Sequence, residues 1–97
     1  MNINPEALEF EWDRGNAEKN KKHDVEDSES EEVFFDWHKT ILRDSLHSGK
    51  EERSILIGKT KAERLLFVVF TKRGKKIRVI SARDVNRKEM HFYEKES

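Results

Sequence analysis

The chain has 97 residues, of which 41% are charged and 24 are Leu, Ile, Val or Phe. That suffices for one small domain with a modest core, because the apolar share lies above the level at which charged chains stay disordered. The absence of cysteine excludes disulfides, thiolate nucleophiles and cysteine-ligated metal centres. The longest wholly apolar run, Leu65–Phe70, is far too short to span a bilayer. The start of the chain lacks a basic-then-apolar signal pattern, so a cytoplasmic location is expected.

A formal net charge of +0 conceals a polarity along the chain. Residues 1–58 hold 8 Lys/Arg against 15 Asp/Glu, a net of −7, and residues 59–97 hold 12 against 5, a net of +7. The acidic side is densest from Asp24 to Asp36, with seven carboxylates and no Lys or Arg. The basic side peaks at Lys72, Arg73, Lys75, Lys76 and Arg78 and continues through Arg83, Arg87 and Lys88. A localised basic face suits a partner carrying phosphates or a run of carboxylates; mixed charge that merely solvates a small surface is the alternative.

Residues 1–7, with Pro5, read as a loose tail ahead of a single domain over 8–97. Leu8-Glu-Phe-Glu-Trp12 alternates apolar and polar, as a strand with one buried face does. Asp13 is an N-cap for a polar helix from about Arg14 to His23. Ser28-Glu-Ser-Glu31 fits a capping box ahead of Val33, Phe34 and Phe35, marking a second helix that ends near Asp36 or Trp37. Thr40–Leu46 and Glu52–Thr60 read as strands split by the turn cluster His47-Ser-Gly-Lys50. Leu65–Phe70, apolar at every position, reads as a central strand covered on both faces. Lys72-Arg-Gly-Lys75 is a turn, with Gly74 free to take a positive φ. It joins that strand to Ile77–Arg83 in an antiparallel hairpin. Asn86-Arg-Lys-Glu89 is a further capping box, opening a last helix with Met90 and Tyr93. The expected fold is α+β: an antiparallel sheet of four to five strands, two N-terminal helices and one C-terminal helix.

Strict alternation along Ile77–Arg83 places Ile77, Val79, Ser81 and Arg83 on one face and Arg78, Ile80 and Ala82 on the other. Arg53 shares its parity with Ile55 and Ile57 and so extends a buried face, while its neighbour Glu52 faces the opposite way.

Several pieces stand in a distinctive order and spacing: Phe10-Glu-Trp12-Asp13, Asn20, Lys22-His23 with Val25, Glu32-Val33-Phe34-Phe35, His47-Ser-Gly49, Glu52-Arg53 and Ile57-Gly58. The most specific follow: Arg64-Leu-Leu-Phe-Val-Val-Phe-Thr71, Arg73-Gly74, Ile77-Arg-Val-Ile-Ser-Ala-Arg83, Glu89 and Tyr93. Together they resemble the BrnT toxins of bacterial toxin–antitoxin systems, which are ribonucleases with a RelE-like fold. The resemblance covers about residues 8–95. Two departures stand out: the stretch between Asn20 and Lys22-His23 is one residue shorter than the family pattern, and Asp24 stands where glycine is common.

The resemblance implies a cytoplasmic toxin that cleaves RNA and arrests growth. It implies a partner, a BrnA-like ribbon–helix–helix antitoxin, which carries most of the DNA contact in a promoter-repressing complex. No cofactor is implied. His23, His38, His47 and His91 fall on different elements, so no metal-ligand set is expected. RNA supplies its own 2′-hydroxyl nucleophile, and a metal-free nuclease need only move protons and steady the charge on phosphorus. Arg83 is a candidate phosphate clamp, because a planar guanidinium grips two oxygens at once; a strand-end pair with Asp84 or Glu89 is the alternative. Arg53 is a second candidate, Ser81 lies beside Arg83 on the site strand, and Glu52 is a candidate general base. His23 is a candidate acid or base or, alternatively, a partner of a helix dipole. Lys22, Arg78, Lys72, Arg73 and Lys75 are candidate contacts to the RNA backbone or to an acidic antitoxin segment. Tyr93 either hydrogen-bonds at the site or packs its helix. The rival to the nuclease is a toxin homologue that has lost activity and only binds its antitoxin, an option that the shortened Lys22-His23 segment supports.

Overall fold

The structure, a computed structural model, describes residues 9–12, 24–44 and 52–96. Strands β1 (Glu9–Glu11), β2 (Thr40–Arg43), β3 (Ser54–Lys59), β4 (Leu65–Arg73) and β5 (Lys76–Asp84) form one sheet in the order β1-β5-β4-β3-β2. Helix α1 (Asp27–Glu32) runs into a 3₁₀ turn at Val33–Phe35, and helix α2 (Met90–Glu96) follows the sheet. The expected helix from Arg14 to His23, the turn at His47–Lys50 and the tail over 1–7 lie outside the described residues. Among the described residues, no helix is long and apolar enough to cross a membrane.

The α+β class holds, but the sheet is mixed. β2 to β5 pair as an antiparallel meander, whereas β1 lies parallel to β5, with Phe10 opposite Ile77. A parallel pair needs a long crossover, and the chain between β1 and β5 provides one. The β4–β5 hairpin closes through Gly74 and Lys75, between the paired Arg73 and Lys76. Gly74 has φ +60°, the left-handed setting that matches a tight connection to the twist of the flanking strands.

One face of the sheet is closed. Val33 and Phe34 are driven onto Leu56, Leu66, Val68, Phe70, Ile77, Val79 and Ala82, all fully or almost fully buried. Phe34 packs edge-on against Phe70 and against Phe10, with ring centroids 5.0 and 5.2 Å apart. Gly58 makes the close approach possible: a Cβ there would meet the Val33 carbonyl oxygen at 3.0 Å. Trp12, half-buried at the rim of this core, donates its indole N–H to Glu31 at 3.1 Å.

The opposite face is only partly covered. Leu65, Phe67 and Val69 on β4 are half-exposed, so among the described residues the central strand is closed on one side, not on both as its composition predicts. Near α2 this face is bridged by Thr40, whose hydroxyl donates to the Phe92 carbonyl at 3.2 Å.

Helix α1 starts earlier than expected. Its N-cap is Glu26, and the reciprocal carboxylate is Glu29, which accepts the Glu26 N–H at 3.0 Å; Ser28 and Glu31 do not form the capping box. Just ahead of the helix Asp24 takes a left-handed φ of 59°, and Arg64 holds the Asp24 carbonyl at 2.8 Å and Glu29 at 3.1 Å. The second capping box forms as read: the Asn86 N–H donates to Glu89 and the Glu89 N–H to the Asn86 side chain.

Candidate functional site

The register of β5 decides which side chains face the open side of the sheet. Val69 pairs with Ser81 and Phe70 with Val79, which leaves Ile80 as the extra residue of a β-bulge. Alternation therefore breaks at Ile80. Beyond it Ala82, and not Ser81, joins Ile77 and Val79 in the core, and Ser81 and Arg83 turn to the open face. The uninterrupted alternation read from the sequence is corrected on this point: Arg78, Ser81 and Arg83 share one face.

Rows across that face follow from the pairing. Thr71 lies opposite Arg78, Val69 opposite Ser81, and Phe67 opposite both Arg83 and Ile57. Arg53 precedes β3, shares the parity of Ile55, and its carbonyl accepts the Asp44 N–H at 2.9 Å. Continuing the β3–β4 register by one residue sets Arg53 level with Thr71, on the side away from Arg78. Arg53 and Arg83 thus share a face, but β4 separates their strands and about 13 Å separates their rows along the strand direction. They do not adjoin.

Arg83 is held from two sides. Its two terminal nitrogens donate to the two oxygens of Glu89 at 2.8 and 2.7 Å, and its guanidinium lies 4.0 Å above the Phe67 ring. The paired Arg83 guanidinium, aided by the Asn86 N–H, holds the Glu89 carboxyl below its ordinary range despite partial burial. The same hydrogen bonds raise the Arg83 pKa against the opposing effect of desolvation.

Other expected site residues lie apart from these. Glu52 is exposed and pairs with Arg43 at 3.2 Å, while its backbone carbonyl accepts the Thr71 hydroxyl. Lys72, Arg73 and Lys75 are exposed around the hairpin tip. Tyr93 is buried and donates to Asp36 at 2.7 Å, with the Lys59 ammonium 5.6 Å from its ring centre. Lys22 and His23 lie outside the described residues. Among the described residues, no three His, Asp or Glu side chains gather as a metal-ligand group.

Two features escaped the sequence reading. Asp36 accepts the Lys59 N–H at 2.8 Å, the His38 N–H at 3.0 Å and the Tyr93 hydroxyl, tying the end of the 3₁₀ turn to β3 and α2. Burial alone would raise its pKa, but these three donors together hold it below the ordinary value. Arg64 binds Asp84 through two nitrogens at 2.7 and 3.0 Å while also reaching Glu29. In the sequence, only the position of Asp36 at a helix end hinted at either.

The fold is thus a small α+β domain whose partly open sheet face carries Arg78, Ser81 and Arg83. The family model for the ribonuclease toxin BrnT of type II toxin–antitoxin systems matches residues 12–89. The chain belongs to that family, and membership in a type II system implies an antitoxin partner. No curated protein matches the chain.

Proposed function

We propose that the chain is an endoribonuclease that cleaves RNA by metal-independent transesterification, leaving a 2′,3′-cyclic phosphate, and that a BrnA-like ribbon–helix–helix antitoxin neutralises it. The observation that carries this reading is the Ile80 bulge, which turns Ser81 and Arg83 to the same open face as Arg78. RNA lies along this face, with its backbone running from the Arg53–Thr71–Arg78 row toward Arg83. Arg83 steadies the charge that develops on phosphorus, presented by Glu89 and by the ring of Phe67. Arg53 and Arg78 grip a neighbouring phosphate, Ser81 lies between the rows, and Lys72, Arg73 and Lys75 attract the strand. Proton transfer is assigned to His23, because Glu52 pairs with Arg43 and faces the other side of the sheet from Arg53.

The reading is tested with purified chain and RNA in EDTA. Cleavage should persist and yield cyclic phosphate ends, and loss of cleavage with the chelator would refute the metal-free step. Arg83→Ala should lower kcat by about 10²-fold or more, the usual scale for removing a donor to a developing oxyanion. A second reading, an inactive homologue that only pairs with its antitoxin, draws on one observation: both terminal nitrogens of Arg83 are engaged by Glu89. A parent chain without nuclease activity that still binds antitoxin would establish it.

A further inference from the structure

At the end of the sheet, a groove of about 950 Å³ opens between α1 with its 3₁₀ turn and the end of β3 with the loop that follows. Its walls carry four carboxylates (Glu31, Glu32, Asp36 and Glu63) against two lysines, Lys59 and Lys61. Trp37 and Phe35 line it as well, 92% and 48% exposed. An indole left almost wholly in water beside a second exposed aromatic ring is costly for a small domain, and such pairs mark surfaces that a partner covers. RNA is a poor occupant, since excess carboxylate repels phosphate. The stretch that builds one wall, Asp24 to Asp36, also holds seven carboxylates and no Lys or Arg, so the negative field extends beyond the groove.

We propose that this groove is a docking site for a cationic amphipathic segment of the antitoxin, with an aliphatic or aromatic side chain seated against Trp37 and Phe35 and Lys or Arg facing Glu31, Glu32 and Glu63. The proposal rests on the toxin reading only in naming the antitoxin as the source of that segment. It assigns opposite ends of the charge polarity to different partners: the basic sheet face to RNA, the acidic groove to protein. A helix laid in the groove would bury its apolar stripe and leave its cations at the rim.

The probe is a fluorescein-labelled 16-residue amphipathic Lys/Leu peptide, titrated with the full chain and read by anisotropy. Binding should weaken as salt rises, and Trp37→Ala and Glu63→Lys should each weaken it about tenfold or more. A Lys/Ser peptide without an apolar face, and a Glu/Leu peptide, should both fail to bind. Both variants should cleave RNA at the parental rate. The proposal is overturned by undiminished binding to Trp37→Ala, by equal binding of the Glu/Leu peptide, or by binding of labelled single-stranded oligouridine that Trp37→Ala abolishes. A dimer in sedimentation that Trp37→Ala dissolves would also overturn it, assigning the groove to a second copy of the chain. A parent that binds the peptide but cleaves no RNA would refute the nuclease reading while supporting the groove.

Discussion

Glu89 accepts three hydrogen bonds from two residues. One oxygen accepts the Asn86 N–H that caps the turn into α2, and both oxygens hold Arg83. Glu89→Gln keeps the shape but removes the charge, and the pair is partly exposed, so the loss should be modest, about 1–2 kcal/mol in urea unfolding at neutral pH. The folded-state pKa of Glu89 lies below the ordinary value of 4.5. Its stabilising effect is therefore complete above that value and fades as pH falls through the lower, folded pKa. Parent and Glu89→Gln should converge in stability toward the acidic end of that window, and curves that stay parallel from pH 7 down to pH 3 would contradict the pairing.

At the scale of elements, two glycines separate steric from conformational demands. Gly58→Ala inserts a methyl group against the Val33 carbonyl and Leu56, so the 3₁₀ turn must lift from the sheet, costing about 1–3 kcal/mol. At Gly74 nothing lies within 4 Å of an added Cβ, and Gly74→Ala should cost only about 1 kcal/mol, from the positive φ alone. Denaturant midpoints of the two variants test the order. The bulge offers a sharper contrast. Deleting Ile80 removes the unpaired residue and leaves Ser81, Ala82 and Arg83 facing as they do, so the chain should still fold. Deleting Val68 from bulge-free β4 would flip half of that strand, taking Leu66 out of the core, and should abolish cooperative unfolding.

Over the whole molecule, charge polarity becomes spatial. The carboxylate-rich stretch forms α1 and one wall of the groove, and the cationic stretch forms the β4–β5 hairpin and the open sheet face. Binding of a non-cleavable RNA analogue should weaken steeply with salt, the logarithm of the binding constant falling by about 0.7 per phosphate neutralised for a single strand. The double variant Lys72→Glu/Lys75→Glu should flatten that slope and slow association while leaving the unfolding midpoint nearly unchanged, because both side chains are exposed. An unchanged slope would remove the hairpin from the RNA path.

Much of this was legible before any coordinates. The strand around Phe10, the β4–β5 hairpin turning at Gly74, the capping box from Asn86 to Glu89, the charge polarity and the family motifs all stand in the sequence. Each depends on a few neighbouring residues or on plain counts. Tertiary structure alone decided the face of Arg83, the parallel pairing of β1 with β5, the start of α1 at Glu26, and the knot of donors on Asp36. Alternation and capping are local backbone properties. A bulge, by contrast, is settled by how β5 registers on β4, and Asp36 finds the Tyr93 hydroxyl 57 residues away. Such contacts depend on which distant segments pack together, and no window of sequence displays that.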